Sequence, residues 1–360
     1  MTHQYKDTFL TQSSTIIEAL KIIDLAALQI VLIVNDDCKL IGTITDGDIR
    51  RAILNGVQLT DTVDKVMNTS PKTATQNDDT ASLKSIMHTQ QIHRLPILDE
   101  HGCVVDLACI EDFTDNAEKE HKNYADISIV LMLGGLGTRL MPLTENLPKP
   151  MIEVGGKPLL ETIVTHLRDQ GFKNFYFSVN YKAEIIEDYF KDGRDFGVKI
   201  SYLYEDKRMG TAGALSLIPD QPKGPLIVMN GDILTNNNFA HLVDFHKQTN
   251  AMATMCVREY QQQVPYGVVR TKGTKLDTIV EKPSQTYFVN AGIYILNPTV
   301  LEHVPKDQYL DMPTLFTQLE AENYESSVFP IREYWLDIGN PQDLEKGRAE
   351  YHQIFSDKKA

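Results

Sequence analysis

The sequence predicts an α/β protein built on a mostly parallel β-sheet, preceded by a smaller α+β domain. The chain has 360 residues, more than single hydrophobic cores usually reach, so two domains are expected. From Ile127 onward, apolar strands alternate with amphipathic helices, a pattern typical of βαβ units with helices on both faces of the sheet. The first 118 or so residues instead contain two versions of one helix, strand, turn and strand pattern.

The domain boundaries follow from these patterns. We expect the repeats at about 8–60 and 61–118, within a first domain at 1–118, and the second domain at 127–355. The segment between Asp112 and Asp126 is polar and strongly charged, and residues 119–126 are predicted to be the linker.

The composition excludes several classes of function. A formal net charge of −14 disfavours nucleic acid as a partner, because most of the surface would repel phosphates. No apolar run approaches the ~20 residues that span a bilayer, and no signal peptide is recognisable, so a cytoplasmic location without membrane association is expected. The four cysteines lack CxxC spacing, and we expect reduced thiols that mostly fill the core.

The repeated domain begins with a helix at Thr15 to Ile23, behind a capping box formed by Thr15 and Glu18. Strands are predicted at 30–34 and 40–45. In the βαβ part, strands are predicted at 127–133, 175–180, 199–205 and 225–230, and helices at 159–171, 183–190 and 211–218.

A glycine cluster follows the first strand of this second part, where ligands of parallel sheets bind. Gly134, Gly135 and Gly137 would let backbone N–H groups approach a phosphate. The spacing excludes two familiar loops, because a dinucleotide fingerprint needs glycine at Leu140 and a P-loop needs Ser or Thr at Pro158.

Two cations flank the proline-rich turn that comes next. Arg139 offers a planar guanidinium and Lys149 a compact ammonium, a combination suited to clamping a polyphosphate. The alternative interpretation is a glycine-rich turn with two solvated surface cations.

The whole stretch "GGLGTRLMPLTENLPKPMIEVGGKP" resembles the signature G-G-x-G-T-R-L-x-P-L-T-x-x-x-P-K-P of the sugar-1-phosphate nucleotidylyltransferases. Leu133 replaces the Ala or Gly usual before the glycine pair. The resemblance continues in the family's order through "MGTAGAL", "VMNGDIL", "PYGVV", "VEKP", "VNAGIYIL" and "WLDIGNPQDL", and covers roughly residues 127–355. It implies a Rossmann-like, GT-A-like nucleotidyltransferase domain.

The resemblance also implies a reaction, in which a sugar 1-phosphate attacks the α-phosphate of a nucleoside triphosphate and pyrophosphate leaves. The phosphate nucleophile is already dianionic at neutral pH, so cations and Mg²⁺ are needed rather than a general base. By resemblance, Asp232 and Asp337 are the metal ligands; alternatively each is an ordinary turn residue. The implied catalytic residues are Arg139, Lys149, Asp232, Lys282 and Asp337.

Two further sets of residues are carried over from the resemblance. The nucleotide-binding set is Leu133, Gly134, Gly135, Gly137, Thr138, Arg139, Lys149, Glu205, Gly210 and Thr211. The sugar-binding set is Gly267, Glu281, Lys282 and Asn290. The N–H groups that begin the "MGTAGAL" helix need partners in any case, so Gly210 and Thr211 could equally have a structural role.

Only the form of the motifs indicates which substrates are used. These motifs look more like those of guanylyl-type members, so GTP with mannose or glucosamine 1-phosphate is expected. The fused domain resembles the architecture of glucosamine 1-phosphate guanylyltransferases of legionaminic acid synthesis. The alternatives are a thymidylyl-, uridylyl- or cytidylyltransferase acting on glucose 1-phosphate, and a nucleotide-sensing protein without turnover.

The first domain resembles a tandem CBS (Bateman) pair through "GTITDGDIRRAI" at 42–53. By resemblance, Thr45 and Asp48 hold the ribose of a regulatory nucleotide, and Arg50 and Arg51 stand near for its phosphates. The second copy departs from the pattern, with Cys109 in place of the threonine. The pair implies a regulatory module and a homodimer or larger homo-oligomer; the alternative is a dimerisation domain without a ligand.

Overall fold

The computed structural model describes residues 5–25, 28–90, 92–113 and 124–355, and the chain divides into two compact units, Met1–His121 and Lys122–Ala360. Residues 119–123 of the predicted linker lie outside the described residues. Tyr124, the first described residue after them, is buried and stacks on Phe172 with ring centroids 4.5 Å apart. No helix in these ranges is long and apolar enough to cross a membrane.

The N-terminal unit consists of two copies of one topology. Its strands are β1 (Phe9–Leu10), β2 (Ile30–Val34), β3 (Leu40–Thr45), β4 (Ala74–Thr75), β5 (Arg94–Leu98) and β6 (Val104–Cys109), and its helices are α1 (Ile16–Leu25), α2 (Asp46–Leu54) and α3 (Thr80–Thr89). In each copy the short first strand pairs parallel to the second, which pairs antiparallel to the third. Both antiparallel pairs contain a register shift, between Ile33 and Val34 and between Ile97 and Leu98.

Local signals in the sequence explain where these elements begin. The backbone N–H of Thr15 donates to Glu18 Oε2 over 2.7 Å, which is half of the predicted capping box. The run Ile30–Val34 is buried at every position because both of its faces are covered, each by a different part of the unit. Val31 and Ile33 face the helices of their own repeat, whereas Leu32 packs with Val104 and Leu107 of the second repeat.

The C-terminal unit holds the larger sheet. Its strands are β7 (Ser128–Met132), β8 (Glu153–Val154), β9 (Lys157–Pro158), β10 (Asn174–Val179), β11 (Lys199–Tyr204), β12 (Leu226–Asn230), β13 (Ile233–Thr235), β14 (Ala253–Gln263), β15 (Val268–Lys272), β16 (Lys275–Val280), β17 (Ser284–Leu296), β18 (Ser326–Ile331) and β19 (Trp335–Asp337). Its α-helices are α4 (Leu159–Asp169), α5 (Ala183–Phe190), α6 (Gly210–Gly213), α7 (Phe239–Thr249), α8 (Met312–Ala321) and α9 (Pro341–Phe355).

Seven of these strands form one sheet in the order β11-β10-β7-β12-β17-β14-β18. All neighbours pair in parallel except those of β17, which pairs antiparallel with both β12 and β14. The predicted mostly parallel sheet is therefore confirmed, with β17 as the one reversed strand in it.

Helices cover both faces of this sheet, as the alternating pattern predicts. Ile129 and Leu131 pack on the side of α4, α5, α7 and α9, whereas Val130 between them packs on the side of α6 and α8. This alternation fixes the register of β7, because a slip by one residue would exchange its two faces. The carboxyl ends of β7 and β12 thereby meet at one edge of the sheet.

Two parts of this unit differ from the prediction. The helix predicted at 211–218 is a four-residue α-helix, α6, followed by a 3₁₀ turn at Ala214–Leu217. The long pair β14 and β17 and the hairpin of β15 and β16 were not predicted. β14 and β17 are buried only in their inner halves, and the hairpin is exposed, so no apolar pattern marks these strands along their length.

Candidate active site

A cavity of about 450 Å³ opens at the carboxyl ends of β7 and β12. The residues that line it include the whole predicted nucleotide-binding set: Leu133, Gly134, Gly135, Gly137, Thr138, Arg139, Lys149, Glu205, Gly210 and Thr211. Asp232 lines it as well. The cavity lies where parallel sheets bind ligands, beyond the ends of their strands.

The glycine loop needs its glycines for two different physical reasons. A Cβ on Gly134 would lie 2.7 Å from Glu205 Oε1, closer than side chains tolerate. Gly137 has a φ of +64° and leaves only 2.8 Å for a Cβ against Thr144. Gly135, in contrast, has open space where its Cβ would stand. Gly134 and Gly137 are thus required by packing against neighbouring side chains. Gly135 is the glycine whose open side faces the cavity.

Glu205 is fixed at the wall of this cavity. Its Oε1 accepts a hydrogen bond from Ser178 Oγ over 2.5 Å, and its Oε2 accepts one from the Met209 N–H over 3.3 Å. The carboxylate therefore ties the end of β10 to the segment that begins α6. Both of its oxygens serve this connection, and Gly134 packs directly against it.

The segment that starts α6 is held by residues about 100 positions later in the chain. The Thr211 N–H donates to Asp311 Oδ1 over 3.1 Å, and the N–H groups of Ala212 and Gly213 donate to the Leu310 carbonyl over 2.9 and 3.0 Å. A Cβ on Gly210 would lie 2.5 Å from that same carbonyl. These contacts support the structural interpretation of the helix start, while Gly210 and Thr211 still line the cavity.

The two predicted metal ligands are brought together by a short antiparallel ladder. β13 pairs with β19 so that Ile233 lies opposite Asp337, which makes Asp337 a neighbour of Asp232. The Ile338 N–H also donates to the Asp232 carbonyl over 3.0 Å. The strand pairing thus joins carboxylates that are about a hundred residues apart in sequence.

Lys149 is the partner of one of these carboxylates. It lies in a 3₁₀ turn at Lys149–Met151, with Pro148 before it, and only 10% of its side chain is exposed. Its ammonium donates to Asp232 Oδ2. The other oxygen, Asp232 Oδ1, is buried and has no hydrogen-bond partner among the described residues. An unsatisfied buried carboxylate oxygen next to a second carboxylate is a suitable ligand for a hard cation.

The electrostatics of Asp337 fit the same interpretation. Burial raises the pKa of its carboxyl, and the neighbouring charge of Asp232 raises it further, while Lys149 and Arg139 act in the opposite direction. The guanidinium of Arg139 lies close to Gly339, just after Asp337. Two acidic and two basic side chains therefore lie close together, and at the Asp337 carboxyl burial and the charge of Asp232 outweigh the two cations.

The predicted sugar-binding residues are arranged apart from the lining of the cavity. The Glu281 carboxylate lies over Gly267, where a Cβ would stand 2.9 Å from Oε2. Lys282 is exposed, with a φ of +44°, on the strand connection beside the β15–β16 hairpin. Asn290 donates its amide N–H to the Tyr294 hydroxyl over 2.8 Å. The four residues lie on or beside the pair of β14 and β17, which extends away from the core.

Sequence reasoning missed four polar or charged side chains at this site. Arg208, Tyr309 and Asn230 line the cavity, and Asp311 joins Tyr309 to Thr211. The Tyr309 hydroxyl donates to Asp311 Oδ2 over 2.6 Å, and the ring is 63% exposed. Asn230 lies inside the motif "VMNGDIL" and Arg208 directly precedes "MGTAGAL", whereas Tyr309 and Asp311 lie in none of the recognised motifs.

The first repeat of the N-terminal unit arranges its two predicted ligand residues against each other. The Thr45 hydroxyl and N–H donate to Asp48 Oδ2 over 2.6 and 2.8 Å and cap α2. Arg50 is fully buried and pairs with Asp46, so the expectation that it is available for phosphates is wrong. Arg51 is 55% exposed and pairs with Asp48. In the second repeat the Cys109 N–H donates to Asp112 Oδ2 over 3.1 Å. Cysteine has no hydroxyl that could make the second bond that Thr45 makes to Asp48.

No group of three or more His, Cys, Asp or Glu side chains that could hold a metal ion occurs in the part of the chain that the structure describes. A magnesium ion at Asp232 and Asp337 would therefore take its remaining ligands from phosphate and water, as Mg²⁺ commonly does.

Comparison with protein families agrees with this division of the chain. The family model described as "Nucleotidyl transferase" matches residues 128–354, and the CBS domain model matches twice, at 1–55 and 63–117. The chain is 38% identical over 237 residues to a mannose-1-phosphate guanyltransferase of Yarrowia lipolytica. That match covers 64% of this chain, which spans 65% of the relative's length.

Two solved structures share the fold of the C-terminal unit. HddC from Yersinia pseudotuberculosis matches with a TM-score of 0.50 and 28% identity, over 62% of this chain and 99% of that one. A structure described as a putative glucose-1-phosphate thymidylyltransferase from Bacillus anthracis matches with a TM-score of 0.53 and 21% identity, over 64% and 98%.

Proposed function

The chain belongs to the nucleotidyl transferase family, and on that basis we propose that it transfers a nucleotidyl group from a nucleoside triphosphate to a sugar 1-phosphate. Pyrophosphate is the second product. The observation that carries the proposal is the convergence of the glycine loop, Lys149, Asp232 and Glu205 on one cavity.

The proposed chemistry requires charge neutralisation more than proton transfer. A phosphate monoester has its second pKa near ~6, so the attacking oxygen is already ionised at neutral pH. The open side of Gly135 and the backbone around it would receive the phosphates of the nucleotide. Arg139 would neutralise charge that develops as pyrophosphate leaves.

In this proposal Lys149 does more than bind the polyphosphate, because it also orients Asp232. Its ammonium donates to Asp232 Oδ2, which orients the carboxylate and directs Oδ1 to a ligand. Asp232 and Asp337 would hold Mg²⁺, which, when bound, neutralises phosphate charge and aligns phosphate oxygens. Lys282 and Glu281 would meet the sugar phosphate and the sugar hydroxyls, with Gly267 and Asn290 beside them.

For the substrates, we propose GTP with mannose 1-phosphate or glucosamine 1-phosphate. The relative from Yarrowia lipolytica carries the name of a mannose-1-phosphate guanyltransferase, and its 38% identity supports this choice. Thymidylyl, uridylyl or cytidylyl transfer to glucose 1-phosphate is the alternative. The test crosses four nucleoside triphosphates with the 1-phosphates of mannose, glucose and glucosamine and measures released pyrophosphate.

We further propose that the N-terminal unit binds a regulatory nucleotide and supports a homo-oligomer in the cytoplasm. Support for the nucleotide comes from the CBS domain model, which matches residues 1–55 and 63–117. Thr45 and Asp48 would change partners, from each other to a ribose. Calorimetry of the full chain with ATP, ADP, AMP and GTP tests this, with Thr45→Val as the variant that loses the hydroxyl.

If no pyrophosphate is released from any combination while nucleotide binds to the full chain, the alternative of a nucleotide-sensing protein without turnover is favoured. Release of pyrophosphate with one guanine-specific combination supports the proposal in full. Release with a different base keeps the transferase and changes its substrate.

A further inference from the structure

Two cysteine thiols lie at the seam between the repeats of the N-terminal unit. Cys109 and Cys256 are buried, in agreement with the expectation that the cysteines fill the core. For Cys38 and Cys103 that expectation is wrong, because Cys38 is exposed and Cys103 is partly exposed. Both lie in the polar turns that connect the antiparallel strands of each repeat.

These turns are equivalent in the two repeats. In the first, Asn35 Oδ1 accepts hydrogen bonds from the N–H groups of Asp37 and Lys39 over 3.1 and 2.9 Å. In the second, Asp99 Oδ1 accepts hydrogen bonds from the corresponding N–H groups of His101 and Cys103 over 2.9 and 2.8 Å.

The equivalence places a cysteine where the other repeat has glycine. Cys38 has a φ of +61°, and Gly102 at the same position of its turn has a φ of +82°. Left-handed backbone favours glycine, and a cysteine there is strained. Nothing in the turn itself requires a thiol at this position.

The two turns are hydrogen-bonded to each other. The Leu40 N–H donates to the Gly102 carbonyl over 3.1 Å, and the Val104 N–H donates to the Cys38 carbonyl over 3.2 Å. These bonds flank an antiparallel bridge between Lys39 and Cys103. The bridged Cα atoms of such a pair are about 4.5 Å apart, and Cys38 directly precedes the bridged Lys39. The left-handed backbone at Cys38 breaks the alternation that turns neighbouring strand side chains to opposite faces.

The Cys103 thiol contacts the residue that precedes Cys38. Its Sγ donates to the Asp37 carbonyl over 3.1 Å, and that carbonyl carbon is bonded to the Cys38 nitrogen. Desolvation is the main cause of a raised pKa for the Cys103 thiol, and the charges of Asp99 and Cys38 add to it. Cys38 is thus within electrostatic range of Cys103 as well as next to its hydrogen-bond acceptor.

We propose that Cys38 and Cys103 are a modification site, at which a low-molecular-weight disulfide converts the two thiols into an intramolecular disulfide between the repeats. The Cys38 thiolate attacks one sulfur of the small disulfide, forms a mixed disulfide and releases one small thiol. Cys103 then loses its proton to solvent and attacks the Cys38 sulfur, which releases the second small thiol. Two protein thiols are oxidised and one small disulfide is reduced.

The exposed Cys38 is the entry point because it is accessible, and Cys103 is the resolving thiol beside it. The bond would close a loop of about 65 residues and link the turn of one repeat to the turn of the other. Closure of a loop of this length restricts mainly the unfolded chain, so the oxidised unit resists unfolding more than the reduced unit.

The test uses the full chain and oxidised glutathione as the probe, with the ratio of oxidised to reduced glutathione varied. Peptide mapping without reductant is expected to show a linked pair of peptides that contain Cys38 and Cys103, lighter by two hydrogens than their sum. The apparent unfolding temperature of the N-terminal unit is expected to rise by about 5 °C or more on oxidation.

Cys38→Ser and Cys103→Ser are the matched variants, and Cys109→Ala is the control in the same unit. Both serine variants should keep the unfolding temperature of the reduced protein and lose its rise on oxidation, while the control keeps the rise. Cys103→Ser should accumulate glutathione on Cys38. The proposal is overturned if native protein yields only mixed disulfides, only disulfides between two copies, or no linked pair.

Discussion

Lys149 and Asp232, 83 residues apart in the chain, form an ion pair at the wall of the cavity, with 10% of the lysine side chain exposed. The pair uses one oxygen of the carboxylate and leaves the other without a hydrogen-bond partner among the described residues. Stability and proposed function therefore both depend on Asp232, through different oxygens.

Asp232→Asn is expected to lower both turnover and stability. The amide retains the shape but removes the charge that compensates Lys149, which costs about 1 to 3 kcal/mol of unfolding free energy. Turnover should fall by about 100-fold or more, because a proposed metal ligand is lost. Denaturant unfolding and pyrophosphate release measure the two effects. The double variant Lys149→Met/Asp232→Asn should recover stability without turnover, and its failure to do so would contradict the ion pair's role.

Asp337→Asn is expected to lower turnover without lowering stability. Burial and the charge of Asp232 raise the pKa of the Asp337 carboxyl, so its ionised form is disfavoured in the folded protein. A neutral amide removes that cost above the pKa of an unfolded aspartate, near ~3.9, and the unfolding temperature at pH 7 should be unchanged or higher. Turnover should still fall by about 100-fold or more. A variant that is both stable and fully active would remove Asp337 from the metal site.

Gly134→Ala and Gly135→Ala test which part of the glycine loop meets a ligand. A Cβ on Gly134 collides with Glu205, so this variant should lose stability with or without nucleotide. A Cβ on Gly135 meets open space, so this variant should unfold at the wild-type temperature. Its KM for the nucleoside triphosphate should nevertheless rise by about tenfold or more, since phosphates need the bare backbone. An unchanged KM for Gly135→Ala would mean that the phosphates bind elsewhere.

Asp311 and Tyr309 should act on nucleotide binding through the segment that begins α6. Asp311 Oδ1 accepts the Thr211 N–H over 3.1 Å, and its Oδ2 accepts the Tyr309 hydroxyl over 2.6 Å. Asp311→Ala releases both partners and is expected to raise the KM for nucleotide more than it lowers kcat. Tyr309→Phe keeps the ring at the cavity and removes one bond, so a smaller change is expected. Equal effects of the two variants would show that the carboxylate does not position this segment.

The sequence predicted the parts of this site that depend on local patterns. The glycine loop and Asp232 follow strands with continuous apolar runs, and glycine or carboxylate at a strand end is visible in a single segment. Glu205 follows the less regular strand β11, and its role was implied by the resemblance alone. Asp311 and Tyr309 gave no such signal, because Asp311 acts through a hydrogen bond from Thr211, 100 residues away, and Tyr309 acts through Asp311.

The same distinction applies to the fold. β2, β3 and α5 occupy the ranges predicted for them, since each is a short segment whose apolar residues are either continuous or regularly spaced. The long antiparallel pair β14 and β17 is stabilised by pairing across a hairpin rather than by a buried face along its outer half, so periodicity could not reveal it. Glu281 and Lys282 lie beside that part of the chain, and their proposed roles rest on the resemblance alone.

The acid sensitivity of the C-terminal unit should depend on His246. This side chain is 2% exposed, its Nδ1 lies 2.7 Å from Thr254 Oγ1, and its Nε2 lies 3.3 Å from Asn297 Oδ1. Burial lowers the pKa of His246, although its hydrogen bond to Asn297 Oδ1 acts to raise it. The unfolded chain therefore binds more protons than the folded one just below the unfolded pKa of ~6.5, and stability is lost as the pH falls through this range.

His246→Gln keeps hydrogen-bonding groups but cannot titrate. We expect its unfolding temperature to be lower than that of the wild type at pH 7.5 and to change less between about pH 6.5 and pH 5.5, where most carboxylates are still ionised. Calorimetry across that range measures the slope, and His352→Gln, which removes an exposed imidazole from α9, is the matched control. His166, whose pKa is also lowered by burial, leaves a residual slope in His246→Gln. A wild-type slope in His246→Gln would show that the protons are taken up elsewhere, because a side chain without an ionisable group contributes nothing to the linkage.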